Sequence, residues 1–172
     1  MAALSTLGII HTAISLVAVA TGIISLIRYR EISWRNMIGK TYVVATIFTC
    51  VTGFGIFHHG GFNKAHVLGI ITLFVLAIAL ASGEKTRVFG RFSPYVETVC
   101  YSMTFFFHII PGVTETATRL PVNAPLSSSP DDPHIQMIIG ISFLVFLVGA
   151  TLQVLKIRGR RAKAAKEGRA VA

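Results

Sequence analysis

Five apolar stretches dominate the sequence and constrain its fold more than any other feature. They cover residues 4–27, 41–57, 66–82, 93–110 and 135–155. A helix that crosses a bilayer needs about 20 mostly apolar residues, with a range of about 17–25. Only 13% of the residues are charged, against about 25% in soluble domains. Because a backbone in lipid must satisfy its own hydrogen bonds, we expect an all-α integral membrane protein with five transmembrane helices.

The basic residues indicate how these helices are oriented. Cytoplasmic loops carry an excess of lysine and arginine. The first loop, the third loop and the C-terminal tail hold all but Lys64 and Arg119 of the 16 basic residues. We therefore expect the N-terminus outside and the C-terminus inside, in a bacterial inner membrane. Residues 1–157 would form one transmembrane domain. Residues 158–172 would form a basic cytoplasmic tail, either solvated or lying against anionic lipid headgroups.

The connections predict an antiparallel four-helix bundle with the fifth helix at its edge. Ser93 followed by Pro94 is typical of a helix start, with Ser93 as the N-cap. Pro111-Gly112 should end or kink the fourth helix, which could resume over residues 114–120. The Pro/Ser-rich residues 120–133 form an outer loop that either covers the bundle or only connects two helices.

Four histidines occupy similar predicted heights on four different helices. Measured from the cytoplasmic helix ends at 1.5 Å per residue, His11, His66, His108 and His58 lie about 24, 24, 21 and 27 Å up. Polar groups at such a depth usually face the bundle interior and mark function. We expect His11, His66 and His108 to point into one cavity open to the outside, with His58 as a further candidate. His59 and His134 fall in loops and are expected to be surface residues.

Two cofactor chemistries fit such a site in a small redox or electron-transport protein. A b-type haem needs two axial imidazoles from facing helices. A copper or zinc ion needs three or four ligands, and Glu115 could join the histidines. Hydroxyls of Thr12, Thr104 and Thr114 could orient the rings. The aromatic run at residues 105–107 could line a cofactor or quinone pocket, or face lipid.

A noncatalytic role is the alternative. The histidines would then hydrogen-bond between helices in an accessory subunit of a membrane complex or homo-oligomer. A transporter has less support, because no buried acid–base pair is evident. Tyr42 and Tyr101 are read as interfacial anchors, and Glu97 as favouring the dipole of the fourth helix. The basic residues of the cytoplasmic loops and tail account for the net charge of +9, so no nucleic-acid partner is expected.

Residues 8–82 resemble a family of bacterial membrane proteins, the DUF2306 type. The similar features are His11 early in the first span and the entry to the second span, Arg35-Asn-Met-Ile-Gly-Lys-Thr-Tyr42. In place of the family's later His-Arg-x-Trp-Met-like motif, this chain has Gly90-Arg-Phe-Ser-Pro-Tyr-Val-Glu97. The resemblance implies a fold similar to small four-helix membrane cytochromes, which carry haem.

Overall fold

All regular secondary structure in the described part of the chain is helical. The computed structural model describes residues 5–56 and 61–170, without the side chains of 168–170. Its five α-helices are α1 (Thr6–Tyr29), α2 (Met37–Gly53), α3 (Lys64–Ala81), α4 (Ser93–Arg119) and α5 (Pro133–Ala170), and a 3₁₀ turn (Gly90–Phe92) precedes α4. No strand occurs within these ranges. The predicted all-α class is confirmed, and each predicted helix is found within a few residues of its expected position, although α5 extends well beyond residue 155.

Short polar side chains start the first three helices. The side chains of Ser5, Asn36 and Asn63 accept hydrogen bonds from the backbone N–H groups of Gly8, Gly39 and Ala65. These bonds satisfy N–H groups that have no partner inside the helix. The prediction that Ser93 is an N-cap is wrong. Ser93 is the first residue of α4, and its hydroxyl instead accepts from the backbone N–H of Phe89. The 3₁₀ turn between them brings the backbone N–H of Phe89 to the hydroxyl of Ser93.

The four helices α1–α4 surround a common interior, and α5 packs outside them against α4. Each of α1 to α4 contacts the next one along the chain, and α1 also touches α4, which closes the ring. Between the diagonal helices α1 and α3 the described residues make no close backbone approach. This is the predicted antiparallel bundle with a peripheral fifth helix.

Four of the helices are long and apolar enough to cross a membrane: α1, α3, α4 with its preceding turn, and the first 35 residues of α5. The fifth candidate, α2, is apolar but only 17 residues long. Large apolar side chains cover the outside of the bundle, among them Leu16, Phe48, Phe74 and Val145. Such a surface is typical of helices that face lipid.

Two helices, α4 and α5, continue past residues at which the sequence analysis placed a boundary. Helix α4 continues past Pro111 to Arg119, so the proline neither ends the helix nor starts a separate outer segment. The missing N–H of Pro111 removes one backbone hydrogen bond, which neighbouring turns of a 27-residue helix tolerate. Helix α5 continues through residue 157 to Ala170. The basic tail is therefore helical and continuous with the fifth span over its described part.

Candidate functional site

Two hydrogen-bonded pairs of buried side chains lie close together in the interior of the bundle. The Oγ1 of Thr46 lies 3.1 Å from Nε2 of His108, and the hydroxyl of Tyr42 lies 2.8 Å from Oγ1 of Thr104. The Tyr42 hydroxyl also lies close to the side chain of Thr46. Tyr42, Thr46 and Thr104 are fully buried, and His108 is 7% exposed. These contacts join α2 to α4, although the two helices lie diagonally across the bundle.

The positions of these residues explain why they meet. On α4, Glu97, Tyr101, Thr104 and His108 recur at spacings of four, three and four residues, which places them on one face. All four are buried. On α2, Tyr42, Thr46, Thr49 and Thr52 form a matching stripe. We call these two facing stripes, together with His11, the polar column.

The hydrogen bonds within the column have a defined direction. The Thr104 hydroxyl donates its single proton to the carbonyl oxygen of Tyr101. The Tyr42 hydroxyl therefore donates to Thr104. Within the described residues, the Thr46 hydroxyl bonds to no carbonyl oxygen of its own helix, so it can donate to, or accept from, the Nε2 of His108. Thr46 thus links an imidazole to a phenol.

His11 enters the column nearer the outer end of α2. Its Nδ1 lies 3.0 Å from Oγ1 of Thr52. The Thr52 hydroxyl donates to carbonyl oxygens of its own helix, so the His11 Nδ1–H is the donor to Thr52. The ring also packs against Gly53, where an added Cβ would approach Cε1 to 3.2 Å. Gly53 therefore gives the imidazole its room.

His11 and His108 bond to different turns of α2. Their partners on α2, Thr52 and Thr46, are six residues apart, which is about 9 Å along a helix. The two imidazoles remain close enough to interact electrostatically. Glu115 also acts electrostatically on His11, although its carboxylate pairs with Arg119 on the same helix.

His66 lies in the first turn of α3, where its side chain contacts the N-cap residue Asn63. It is the third residue of α3, and its Nδ1 lies 3.3 Å from the backbone nitrogen of Asn63 and 3.1 Å from Asn63 Oδ1. Its ring stacks on Phe54 and contacts Phe62. Among the described residues, His66 therefore contacts its own N-cap residue and two aromatic rings. His58 lies outside the described residues.

The structure does not bring the predicted metal ligands together. Among the described residues, which leave out His58, no three His, Cys, Asp or Glu side chains lie close enough to hold a metal ion. His11, His66, His108 and Glu115 therefore do not form one centre in this conformation. The imidazoles of His11 and His108 each bond instead to a threonine of α2, Thr52 and Thr46. None of the three predicted orienting hydroxyls bonds to a described histidine: those of Thr12 and Thr114 bond to their own helices, and that of Thr104 lies against Tyr42.

An ion pair that the sequence did not predict lies at the end of the column beside the α1–α2 and α3–α4 loops. Arg35 donates from Nη2 to Glu97 Oε2 at 2.8 Å and from Nη1 to Glu84 Oε1 at 2.7 Å. The Glu97 side chain is 5% exposed, whereas that of Glu84 is 61% exposed. The hydroxyl of Tyr101 is buried without a hydrogen-bond partner among the described residues and interacts electrostatically with Glu97.

Sequence reasoning missed most of this site. It placed Tyr42 and Tyr101 at the membrane interface, yet both are fully buried. It explained Glu97 by the helix dipole, although its carboxylate binds an arginine from the α1–α2 loop. The available signal was the helical spacing of polar residues 97, 101, 104 and 108, and of 42, 46, 49 and 52. Polar stripes of this kind within apolar helices predict a shared interior face.

Comparisons with protein-family models, with curated proteins and with solved structures find no match to this chain. The resemblance to the DUF2306 type stays a prediction, and the functional argument depends on the geometry of the polar column.

Proposed function

We propose that this chain is a five-span protein of a bacterial inner membrane, with its N-terminus outside and its C-terminus in the cytoplasm. Four helices long and apolar enough to span a bilayer support the membrane assignment. Positive charge concentrated in the α1–α2 loop, the α3–α4 loop and the end of α5 supports the orientation. In this orientation the polar column runs from His11 near the outside to the Arg35–Glu97 pair near the cytoplasm.

We further propose that the polar column transfers protons across the membrane. The observation that carries this proposal is a pair of buried hydrogen bonds between α2 and α4, Thr46–His108 and Tyr42–Thr104, with the side chains of Tyr42 and Thr46 close to each other on α2. Buried polar groups in a membrane interior are costly unless paired, and chains of such groups are typical of proton relays. An interface of apolar side chains would hold the helices together without the free-energy cost of burying polar groups.

The chemistry of each residue suits a relay. Imidazole can accept a proton at one ring nitrogen and release another from the second. Hydroxyls of threonine and tyrosine pass protons on by donating one while accepting another. On the outside, Glu115 and Arg119 of α4 form an ion pair. On the inside, Glu97 accepts or releases protons beside the unpartnered hydroxyl of Tyr101. Water molecules complete the steps between His11 and His108 and between Thr104 and Glu97.

Proton flux into vesicles tests this proposal. Purified full-length protein is reconstituted into vesicles that contain a pH-sensitive dye, and a potassium gradient with a potassium ionophore drives proton entry. We expect faster acidification than in protein-free vesicles. His108→Ala should remove the increase, because it removes the Thr46–His108 hydrogen bond. His134→Ala should retain it, because His134 is an exposed residue at the start of α5. Flux equal to that of protein-free vesicles would contradict a relay.

A redox or metal-binding function remains the second candidate. The observation that favours it is the electrostatic proximity of His11 and His108, which come from two different helices. A b-type haem on these imidazoles predicts sharp absorption bands on reduction that are lost in His11→Ala. Stoichiometric copper or zinc in colourless protein would support a metal site. Protein with neither cofactor nor proton flux would indicate the accessory-subunit role, with the histidines acting as ties between helices.

A further inference from the structure

An apolar groove runs along the outside of the bundle between α1 and α2. It has a volume of about 420 Å³. Its walls are formed mainly by Ile14 and Val17 of α1 and by Val44, Ala45 and Phe48 of α2. Val17, Val44 and Phe48 are among the exposed large apolar side chains. The groove therefore opens away from the polar column and towards the surroundings of the bundle.

The groove ends at a single positive charge. Met37, Lys40 and Thr41 line the end near the start of α2, where the basic α1–α2 loop joins the helix. The Lys40 ammonium group has no ion-pair partner within the described part of the chain. The hydroxyl of Thr41 is occupied by the carbonyl oxygen of Met37. Lys40 is thus the one charged group available to a ligand that fills the groove.

The length of the groove corresponds to one membrane leaflet. From Met37 to Phe48 is 11 residues of α2, which is about 17 Å at 1.5 Å per residue. Half of a hydrocarbon core of about 30 Å is about 15 Å. A fatty-acyl chain that begins beside Lys40 would end near the bilayer centre, between Ile14 and Phe48.

We propose that this groove binds one anionic phospholipid of the cytoplasmic leaflet. The phosphate lies at Lys40, and one acyl chain lies along Val17, Val44 and Phe48. Basic residues at the cytoplasmic ends of helices attract anionic headgroups, and an apolar channel beside such a residue adds selectivity for a chain attached to that headgroup. The choice of leaflet rests on the proposed orientation, whereas the binding itself is independent of proton transfer.

Native mass spectrometry of the full-length protein in detergent tests the proposal. The protein is titrated with phosphatidylglycerol and, separately, with phosphatidylcholine that carries the same acyl chains. We expect one retained phosphatidylglycerol per chain and weaker retention of phosphatidylcholine. Lys40→Gln should reduce the affinity for phosphatidylglycerol about fivefold, the contribution typical of one basic residue near anionic lipid, and should leave phosphatidylcholine unchanged. Lys64→Gln is the control, because Lys64 lies at the start of α3 and pairs with Asp131.

A second pair of variants tests the groove itself. Val44→Trp should fill the groove and weaken phosphatidylglycerol binding, whereas Val51→Trp, at an exposed position of α2 outside the groove, should not. Circular dichroism and thermal unfolding establish that each variant is folded. Equal binding of the two lipids by the unmodified protein would overturn the proposal. An unchanged preference in Lys40→Gln, or equal losses in the two tryptophan variants, would overturn it as well.

Discussion

Thr46 shows how one hydroxyl can organise a membrane-protein interior. Its neighbours on α2 are mostly apolar, and it is fully buried. Without Thr46, the Nε2 of His108 and the hydroxyl of Tyr42 would lose a nearby polar group. A buried polar group left without a partner costs about 1–3 kcal/mol. The threonine therefore makes a buried histidine and a buried tyrosine compatible with a lipid-embedded bundle.

A glycine fixes the α1–α2 loop against the start of α2. A Cβ added at Gly39 would overlap the backbone carbonyl of Ser33, and backbone cannot move aside as a flexible side chain can. We expect Gly39→Ala to lower the free energy of unfolding by about 1–3 kcal/mol or more, measured by thermal unfolding in detergent.

Gly149→Ala is the matched control for this substitution. Gly149 lies inside α5, and nothing lies within 4 Å of an added Cβ. Alanine should be neutral or stabilise the helix by up to about 1 kcal/mol. Equal stability of the two alanine variants would contradict the close packing of the loop on α2.

The sequence identified the histidines as interior residues but not their partners. His11 and His108 stand out because a histidine is rare among apolar neighbours. Thr46 and Thr52 do not stand out, because threonines in membrane helices usually bond to their own backbone, as Thr21 and Thr41 do here. Which threonine turns outward to a neighbouring helix depends on helix rotation and packing, and these are properties of the folded bundle.

Helix α5 is attached to the bundle by apolar packing and by polar contacts, and the polar contact that is most buried is made by Gln153. The side chain of Gln153 accepts from the Ser102 hydroxyl at 2.9 Å and donates to the carbonyl oxygen of Arg30 at 3.0 Å. It thereby ties α5 both to α4 and to the end of α1. Aromatic contacts between Phe106, Phe143 and Phe146 complete the α4–α5 interface.

We expect Gln153→Leu to loosen α5 without unfolding the four-helix bundle. Loss of the two hydrogen bonds leaves the Arg30 carbonyl oxygen with one partner fewer and should cost roughly 1–3 kcal/mol. Hydrogen exchange should then accelerate in α5 and remain slow in α2 and α3. Gln136→Leu is the control, since Gln136 is exposed and bonds only within the outer loop region. Similar exchange in both variants would contradict a role of Gln153 in holding α5.

Helix positions were largely predictable, and helix ends were not. Apolar runs determine where helices form in lipid, so all five were expected. The starts of α1, α2 and α3 depend on the caps Ser5, Asn36 and Asn63, which apolarity alone does not identify. The end of α5 was missed because hydropathy falls at residue 156 while helix propensity stays high in a tail rich in alanine, lysine and arginine.

The whole molecule has a marked asymmetry of charge, which supports the proposed orientation. A reporter that functions only in the cytoplasm should be active when it is fused after residue 172. In a Ser128→Cys variant, a membrane-impermeant thiol reagent should label intact cells from outside, because Ser128 is exposed in the loop between α4 and α5. The unmodified chain is the control, since Cys50 is buried and Cys100 is partly buried. Both positions on one side of the membrane would contradict the five-span orientation.

Proton transfer depends on the complete column, so the most direct test breaks one link and keeps the shape of the side chain. Thr46→Val replaces the hydroxyl between His108 and Tyr42 by a methyl group. Thr21→Val makes the same change where the hydroxyl bonds only to carbonyl oxygens of its own helix. Proton flux into vesicles should fall roughly tenfold or more for Thr46→Val, a rise in barrier of about 1.4 kcal/mol or more, and should be retained for Thr21→Val. Equal flux through both folded variants would contradict a relay through the polar column.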